Sequence, residues 1–465
     1  MMNRIGSTIF KRSLAFSAAK CAPTLTASSR DRIRNLIDAT VAKTENFPSG
    51  ASAALTNSKG ENLITHASGS IDLKSSIPMT EESMVWLGSG SKISTVIACL
   101  QLAEKGVISL DNPEDVNKWL PELKNYLLLS KDTELENGRY VLKPKTKPIT
   151  LRQMLTHSAG FGYPMFDENL KYFAKDFGID WLAKVDMHLP LVHEPGEGWT
   201  YGIGIDWAGV LISRAVDKPL ETILQENIFQ PLGIKNVTMR PNKNAHAHNV
   251  VDCITRDKEN EKNYTIPHLF GDSLSDSILT KESHKDFGGC GIFAQPSEYI
   301  KIFATILNKG VSPHTGGYLL SEKTIEEMFT NQFPDIPLDA DRSPMTSIDP
   351  GIKRDPKVLP TTGVPPRNWG LSWYLNPEKF STGRSANSAF WCGLGHIFYW
   401  VDRERDVTGF IGSSLITRSF PDYDMWKLFG EFETEVYKGL QDSNPISMEL
   451  MDDSQENSFS STVKL

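Results

Sequence analysis

Residues 86–106 read WLGSGSKISTVIACLQLAEKG, and the interpretation of the whole chain starts from this stretch. Apolar residues recur with helical spacing from Ile93 onward, and Gly106 follows the pattern as a C-terminal helix glycine does. Ser89 and Lys92 stand three positions apart at the helix start, so their side chains share one face. The stretch therefore predicts either a polar, capped helix start or a serine nucleophile beside its activating partner.

The second interpretation has a chemical basis in the start of a helix. A serine hydroxyl is a weak nucleophile unless a base lies within hydrogen-bond reach. A lysine near a helix N-terminus and partly desolvated has a lowered pKa, which makes its neutral amine accessible. The same helix start offers backbone N–H groups to a developing oxyanion. A four-residue motif has little specificity alone, so the rest of the chain must decide.

Composition excludes several classes of protein. The net charge of −8 shows no nucleic-acid-binding signature, and no run of 18 apolar residues predicts a membrane span. The five cysteines are widely spaced without a C-x-x-C pair, which argues against a zinc site or a disulfide framework. The AHAH segment at 245–248 lacks a following aspartate at metal-site spacing. We therefore expect no metal and no organic cofactor.

The order of predicted elements indicates an α+β fold. An amphipathic helix over 29–45, capped by Ser29, precedes a hairpin over 50–69, and a mostly helical region follows from about 110 to 280. Strand composition returns in four later segments: 288–294, 369–375, 396–402 and 407–416. A closing amphipathic helix contains Phe429. These elements predict an antiparallel sheet built from both chain ends, flanked by terminal helices, with a mostly helical insert.

Five ordered segments resemble the serine β-lactamase and penicillin-binding-protein superfamily, nearest its family VIII carboxylesterase and fungal transesterase (acyltransferase) branch. The first is the opening stretch with its continuation to Val116. The others are ITLRQMLTHSAGF (149–161), HEPGEGWTYGIGIDWAGVLISRAV (193–216), GGCGIFAQPSEYIKI (288–302) and FWCGLGHIFYWVDRERDVTGFIG (390–412). The resemblance implies a β-lactamase-like, serine transpeptidase-like fold.

The resemblance also implies one catalytic domain over 29–440. Its α/β lobe is expected at about 29–88 plus 285–440, and its helical lobe at about 89–284. The Pro-rich segment 334–367 is expected to be a surface excursion.

Both chain ends are expected to lie outside this domain. Residues 1–28 are basic and serine-rich with no acidic residue, as in a transit-like or disordered leader, and 441–465 reads as a disordered tail. We expect a cytoplasmic or mitochondrial protein that is not secreted.

The resemblance assigns three catalytic roles. Ser89 becomes the nucleophile, Lys92 its activating partner, and Tyr201 the general base that relays the proton to the leaving group. A tyrosine with a pKa near ~10 acts this way only if a cation such as Lys92 depresses that pKa. A buried aromatic at a helix start is the structural alternative for Tyr201.

The last strand pair supplies candidates for oxyanion and substrate contacts. The resemblance implies that the N–H of Leu394 completes an oxyanion hole with the N–H of Ser89. Gly393 lets the two backbones approach closely. Trp391 is a candidate for the acyl-pocket wall, together with Phe161, Tyr163 and Trp207. His396 is either a substrate contact or a strand-edge residue without a chemical role.

Two departures from the lactamase pattern bear on the substrate. Ile203 stands where lactamases carry asparagine, and Trp391-Cys392-Gly393 replaces their K-T-G; the TTG at 361–363 lacks the lysine. A site without that cation lacks a clamp for a β-lactam carboxylate. The expected substrates are small neutral carboxylic esters or thioesters.

Three alternatives stay open at this point. Water as acceptor makes the protein an esterase, and an alcohol or amine makes it an acyltransferase. A β-lactamase-like peptidase is the second enzymatic interpretation, and a non-catalytic scaffold that retains the fold is the third. We expect a small-molecule ester or thioester as the partner, with no nucleic acid and no membrane span.

Overall fold

The computed structural model describes residues 21–43, 50–74, 77–130, 140–178, 189–241, 249–256, 263–265, 286–333, 368–416 and 422–443. The strands are β1 (Cys21–Leu25), β2 (Gly50–Asn57), β3 (Asn62–Gly69), β4 (Val85–Trp86), β5 (Leu127–Leu129), β6 (Leu142–Pro144), β7 (Val237–Thr238), β8 (Ile254–Arg256), β9 (Asn263–Thr265), β10 (Phe293–Ala294), β11 (Tyr374–Leu375), β12 (Ala389–Gly393), β13 (Ile397–Asp402), β14 (Val407–Gly412) and β15 (Leu440–Ser443). The helices are α1 (Ala27–Lys43), α2 (Lys92–Glu104), α3 (Pro113–Trp119), α4 (Leu151–Leu155), α5 (Glu168–Asp176), α6 (Gly204–Val216), α7 (Leu220–Leu224), α8 (Pro296–Tyr299), α9 (Lys301–Leu307), α10 (Glu322–Met328) and α11 (Tyr423–Gly439).

Both ends of the chain contribute to the main sheet. Its six antiparallel strands are ordered β11-β12-β13-β14-β2-β3. β14 lies against β2 with Val407 opposite Asn57 and Gly412 opposite Ser52. This pairing closes the sheet across a long insert, and the predicted α+β architecture is confirmed.

The two faces of the sheet carry different helices because side chains alternate along a strand. On β13, Phe398 stacks on Phe429 of α11 with ring centroids 4.8 Å apart. The next residue, Tyr399, stacks on Phe303 of α9 at 4.8 Å from the other face. α1 packs beside α11, and a Cβ at Gly439 would collide with the Ser29 hydroxyl. The terminal helices thus cover one face of the sheet, as predicted.

The nucleophile helix runs through the interior of the protein. Every residue of α2 from Lys92 to Leu102 is buried, and α2 packs against α6 and α7. A helix that is largely apolar all round is stable only when surrounded by protein. The 3₁₀ turn Gly88–Ser91 that precedes α2 contacts β12 and β13. The space between this turn, β12 and α6 is therefore where a site can form.

The domain edges extend beyond the predicted ones. β1 pairs with β15, with Thr24 opposite Gln441, so part of the predicted leader (1–28) and of the predicted tail (441–465) is folded. α1 begins two residues before Ser29, whose N–H donates to the Thr26 hydroxyl at 3.1 Å. Neither end carries a strong strand pattern, and the pairing of the two ends supplies the missing hydrogen bonds.

Two predicted strands are much shorter in the structure. Of the 288–294 segment only Phe293–Ala294 is a strand, and of 369–375 only Tyr374–Leu375 is. Three sequence predictions lie outside the described residues: the AHAH segment, the Pro-rich segment 334–367 and the TTG segment.

Candidate active site

Ser89 lies in the tight turn that leads into α2, and its side chain is half-buried. Gly88 adopts a φ of +50°, and a Cβ there would lie 2.9 Å from the backbone nitrogen of Leu394. Only glycine combines this conformation with such an approach at no steric cost. The first N–H groups of such a turn have no partner within the helix, which leaves the Ser89 N–H suited to bind an oxyanion.

Lys92 is fully buried, and its ammonium contacts three oxygens. Its Nζ lies 3.1 Å from Ser89 Oγ, 3.3 Å from the Tyr163 hydroxyl and 2.9 Å from the Gly289 carbonyl oxygen. A lysine ammonium carries three protons to donate, so these contacts use its full capacity. Nζ also lies 4.9 Å from the centroid of the Tyr201 ring. The charge is thus held between the serine and the tyrosine.

Tyr201 precedes α6 and is 6% exposed. Its hydroxyl oxygen accepts a hydrogen bond of 3.0 Å from Trp391 Nε1. Burial raises the pKa of Tyr201, while Lys92 and hydrogen bonds to Ser89 and Trp391 lower it by less. The expectation that Lys92 would bring this pKa below its ordinary value is therefore wrong, because desolvation of the phenolate outweighs the attraction of the cation.

The end of β12 is in close backbone contact with the nucleophile turn. A Cβ on Gly393 would collide with the Leu87 carbonyl oxygen and would lie 3.2 Å from the Gly90 nitrogen. Leu394 follows, with its backbone nitrogen beside Gly88. The structure thus brings Gly393 and Leu394 to the turn that holds Ser89, and the oxyanion role of Leu394 stays a prediction.

Aromatic rings surround Tyr201. Their centroids lie within 6.3 Å of the Tyr201 centroid and belong to His157, Tyr163, Phe166, Trp199 and Trp391. Of the predicted wall residues, Trp391 and Tyr163 are in this group. Phe161 and Trp207 instead pack on each other and on Tyr126. The enclosure around the tyrosine is therefore largely aromatic, and its polar groups include the Lys92 ammonium, the His157 imidazole and the Tyr163 hydroxyl.

His396 does not join this group. It is fully buried, its Nδ1 lies 2.6 Å from the Leu415 carbonyl oxygen, and its Nε2 accepts the N–H of Asp422 at 2.6 Å. The two ring nitrogens thus tie the β12–β13 turn to the segment after β14 and to the start of α11. Of the two sequence interpretations, the structure favours the one without a chemical role.

Sequence reasoning missed a buried carboxylate behind the lysine. Asp206, in the first turn of α6, is 1% exposed and accepts the Gly289 N–H at 2.9 Å. Burial raises the pKa of Asp206, and Lys92 lowers it by less. Burial and the charge of Asp206 together raise the pKa of Tyr163 well above its ordinary value. The sequence signal that could have revealed Asp206 is a single acidic residue within the apolar run of α6.

Other kinds of site receive no support from the described part of the chain. No group of His, Cys, Asp and Glu side chains there could hold a metal ion. No helix among the described residues has the length and apolar character needed to span a membrane. Ile203 is buried at the start of α6, so no side-chain amide lies two residues after Tyr201.

A serine hydrogen-bonded to a lysine one turn later, in a turn that packs on β12 and β13 of an antiparallel sheet, is the arrangement of serine enzymes with an S-x-x-K nucleophile. The family model named Beta-lactamase matches residues 35–418, and the chain belongs to this family. Within it, the protein is a serine esterase or acyltransferase, as its characterised relatives are.

The relatives comprise both kinds of enzyme. The chain is 31% identical to acyltransferase calJ of Penicillium decumbens, over 76% of this chain and 82% of that one. It is 27% identical to a lovastatin esterase of Penicillium rubens, over 77% of this chain and 87% of that one. A LovD6 mutant of simvastatin synthase from Aspergillus terreus superposes with a TM-score of 0.71 at 25% identity, covering 89% of this chain and 98% of that one.

Proposed function

We propose that the protein transfers acyl groups from small carboxylic esters or thioesters through an acyl-enzyme on Ser89. The observation that carries this proposal is the 3.1 Å contact between Lys92 Nζ and Ser89 Oγ, with the Tyr201 ring centroid 4.9 Å from the same Nζ. A nucleophile, a buried cation and a second proton carrier then lie together in one site, which is what covalent catalysis requires.

In the first half-reaction, the small phenolate fraction of Tyr201, which Lys92 enlarges against the effect of burial, takes the Ser89 proton while Oγ bonds to the carbonyl carbon of the substrate. The carbonyl π electrons move onto oxygen, where the N–H groups of Ser89 and Leu394 bind the new charge. Donors held in place before the reaction stabilise that charge more than mobile water does. Collapse of the intermediate breaks the bond to the leaving oxygen or sulfur, which takes its proton from Tyr201.

The second half-reaction repeats these steps with a new nucleophile. Tyr201 takes a proton from water or from an alcohol, whose oxygen bonds to the acyl carbon. The second intermediate releases Ser89 Oγ, which recovers its proton from Tyr201. The proximity of Lys92 lowers the cost of forming the Tyr201 anion, which burial raises.

The preference for neutral acyl groups rests on what the site lacks and what surrounds it. Ile203 offers no amide, and the Trp391-Cys392-Gly393 element on β12 offers no lysine for a carboxylate. The rings around Tyr201 instead favour an apolar acyl chain. The relatives' names, which include acyltransferases and an esterase, support both water and an alcohol as acceptor.

Replacing the nucleophile tests the proposal. Ser89→Ala should abolish turnover of p-nitrophenyl butyrate and labelling by a fluorophosphonate probe. Ser94→Ala is the matched control, because Ser94 is buried on the same helix and bonds the Tyr299 hydroxyl at 2.8 Å. It should keep both properties. Equal labelling of the two variants would refute the role of Ser89, and an unlabelled, inactive wild type would favour the scaffold alternative.

The acceptor is tested with the same ester and increasing concentrations of a primary alcohol. An acyltransferase forms the exchanged ester faster than the free acid, whereas an esterase forms mainly acid at every concentration. Turnover of nitrocefin should be weak or absent, and rapid turnover would support the peptidase alternative.

We also propose a cytoplasmic or mitochondrial location. The basic, acid-free residues 1–28 support this proposal. Sequencing the N-terminus of the protein isolated from its native cells separates the two, because import into mitochondria would remove residues that an unprocessed chain keeps.

A further inference from the structure

His157 holds Tyr201 through three contacts. Its carbonyl oxygen accepts the Thr200 N–H at 2.9 Å, and its Nδ1 accepts the Gly202 N–H at 3.4 Å. Its ring lies 4.3 Å from the Tyr201 ring, centroid to centroid. The backbone on each side of the tyrosine and the tyrosine ring are thus all bound by one residue.

The conformation of His157 shows that this arrangement has a cost. Its φ is +61°, in the left-handed region that residues with a Cβ rarely adopt. The residue is also 3% exposed, so an imidazole is buried there. Such strained positions persist when surrounding structure determines them, and they cluster at functional sites.

The contacts also determine the protonation state of His157. Because Nδ1 accepts a backbone N–H, the ring proton must sit on Nε2, and the imidazole is neutral. Burial, and then the charge of Lys92, lower the pKa of His157 well below its ordinary value. Nδ1 of His157, which accepts the Gly202 N–H, therefore remains a hydrogen-bond acceptor at neutral pH.

We propose that His157 is a positioning residue for the reaction, which fixes the Tyr201 hydroxyl between Ser89 and Lys92 without touching the substrate. The inference rests on the proposed role of Tyr201 as proton carrier. A tyrosine ring displaced by about 1 Å loses the alignment that proton transfer needs, which costs on the order of a hundredfold in rate.

A double-mutant cycle tests this coupling. His157→Leu should lower kcat for p-nitrophenyl butyrate by about ten- to a hundredfold, with little change in KM. In a Tyr201→Phe background the same substitution should cost nothing further, because residues that act as one unit are strongly non-additive. Equal losses in the two backgrounds would show a merely structural role and overturn the inference.

A conservative pair of variants keeps the test valid if His157→Leu does not fold. His157→Asn tolerates the left-handed conformation and places a carbonyl oxygen near the Nδ1 position, so it should restore most of kcat. His157→Gln places its amide near the Nε2 position and should not. Equal activity of the Asn and Gln variants would overturn the inference.

Gln101→Leu is the matched structural control. Gln101 is buried at the far end of α2, where its Nε2 donates to the carbonyl oxygens of Asn227 and Leu319 at 3.0 Å. Gln101→Leu should lower the midpoint temperature of thermal unfolding, as His157→Leu should, but it should leave kcat unchanged. A wild-type rate in Tyr201→Phe alone would refute the proposed function and this inference together, which distinguishes that outcome from a failure of the coupling only.

Discussion

Replacing Trp391 by phenylalanine removes one hydrogen bond and keeps the aromatic wall. The lost bond joins Trp391 Nε1 to the Tyr201 oxygen at 3.0 Å in a buried site. A hydrogen bond is worth about 0.5–1.5 kcal/mol between neutral groups and about 1.5–3 kcal/mol to a charged one. The phenolate therefore loses about 1–1.5 kcal/mol more than the phenol, which raises the pKa of Tyr201 by about one unit.

The assay is the pH dependence of kcat/KM for p-nitrophenyl butyrate. Because burial already raises the pKa of Tyr201, activity should climb with pH through neutrality, as the phenolate becomes more populated. Trp391→Phe should move this rising limb about one unit toward higher pH. Activity at pH 7 should then fall about tenfold, and the two profiles should converge above the limb.

Trp400→Phe is the matched control for this prediction. Trp400 is fully buried on β13 against Phe432, and its Nε1 has no hydrogen-bond partner among the described residues. The control should leave the pH profile in place. A Trp391→Phe profile that does not move, or that moves toward lower pH, would refute the argument that this bond stabilises the phenolate.

Three further predictions concern stability and the shape of the site. Because the pKa of His157 is lowered in the folded state, the unfolded state binds more protons in acid, and the unfolding free energy should fall below pH 6.5 by up to about 1.4 kcal/mol per unit. The unfolding free energy measured by urea titration should depend less steeply on pH in His157→Asn, and an unchanged pH dependence would contradict this. Glu433→Ala leaves the Arg384 cation, 3.2 Å from that carboxylate, buried and unpaired. It should cost about 3–5 kcal/mol, and Glu433→Leu combined with Arg384→Met should recover most of it in thermal melts. Gly393→Ala forces a methyl group into the Leu87 carbonyl oxygen and should lower ester turnover about a hundredfold while the circular dichroism stays unchanged. Full activity would argue against the close backbone contact.

The main sheet and the three catalytic candidates could be predicted because their signals are local. Ser89 and Lys92 share one helical turn, and β13 and β14 have strong strand composition on either side of a short turn. Tyr201 could be placed only through the family resemblance, since a tyrosine before a helix has no chemical meaning alone.

The remaining features depend on contacts between distant segments. β1 and β15 are weak strands by composition, and each is completed by the other. The pKa of Tyr201 rises because rings from two distant segments, which contain His157 and Trp391, join the neighbouring Trp199 in excluding water from it, and no spacing in the sequence reveals those distant contacts. His396 was ambiguous for the same reason, because its two backbone partners lie 19 and 26 residues further along the chain.

The pairing of β14 with β2 has a consequence for the synthesis of the protein on the ribosome. The nucleophile helix emerges early, but Leu394 is synthesised 305 residues after Ser89 (394 − 89), and β14 later still. At about 5–20 residues per second, the nascent chain carries an unfinished site for roughly 15–60 seconds. A chain released before residue 412 contains the serine and the lysine but cannot complete the pairing of β14 with β2. Ester cleavage therefore measures only chains that were synthesised past this point.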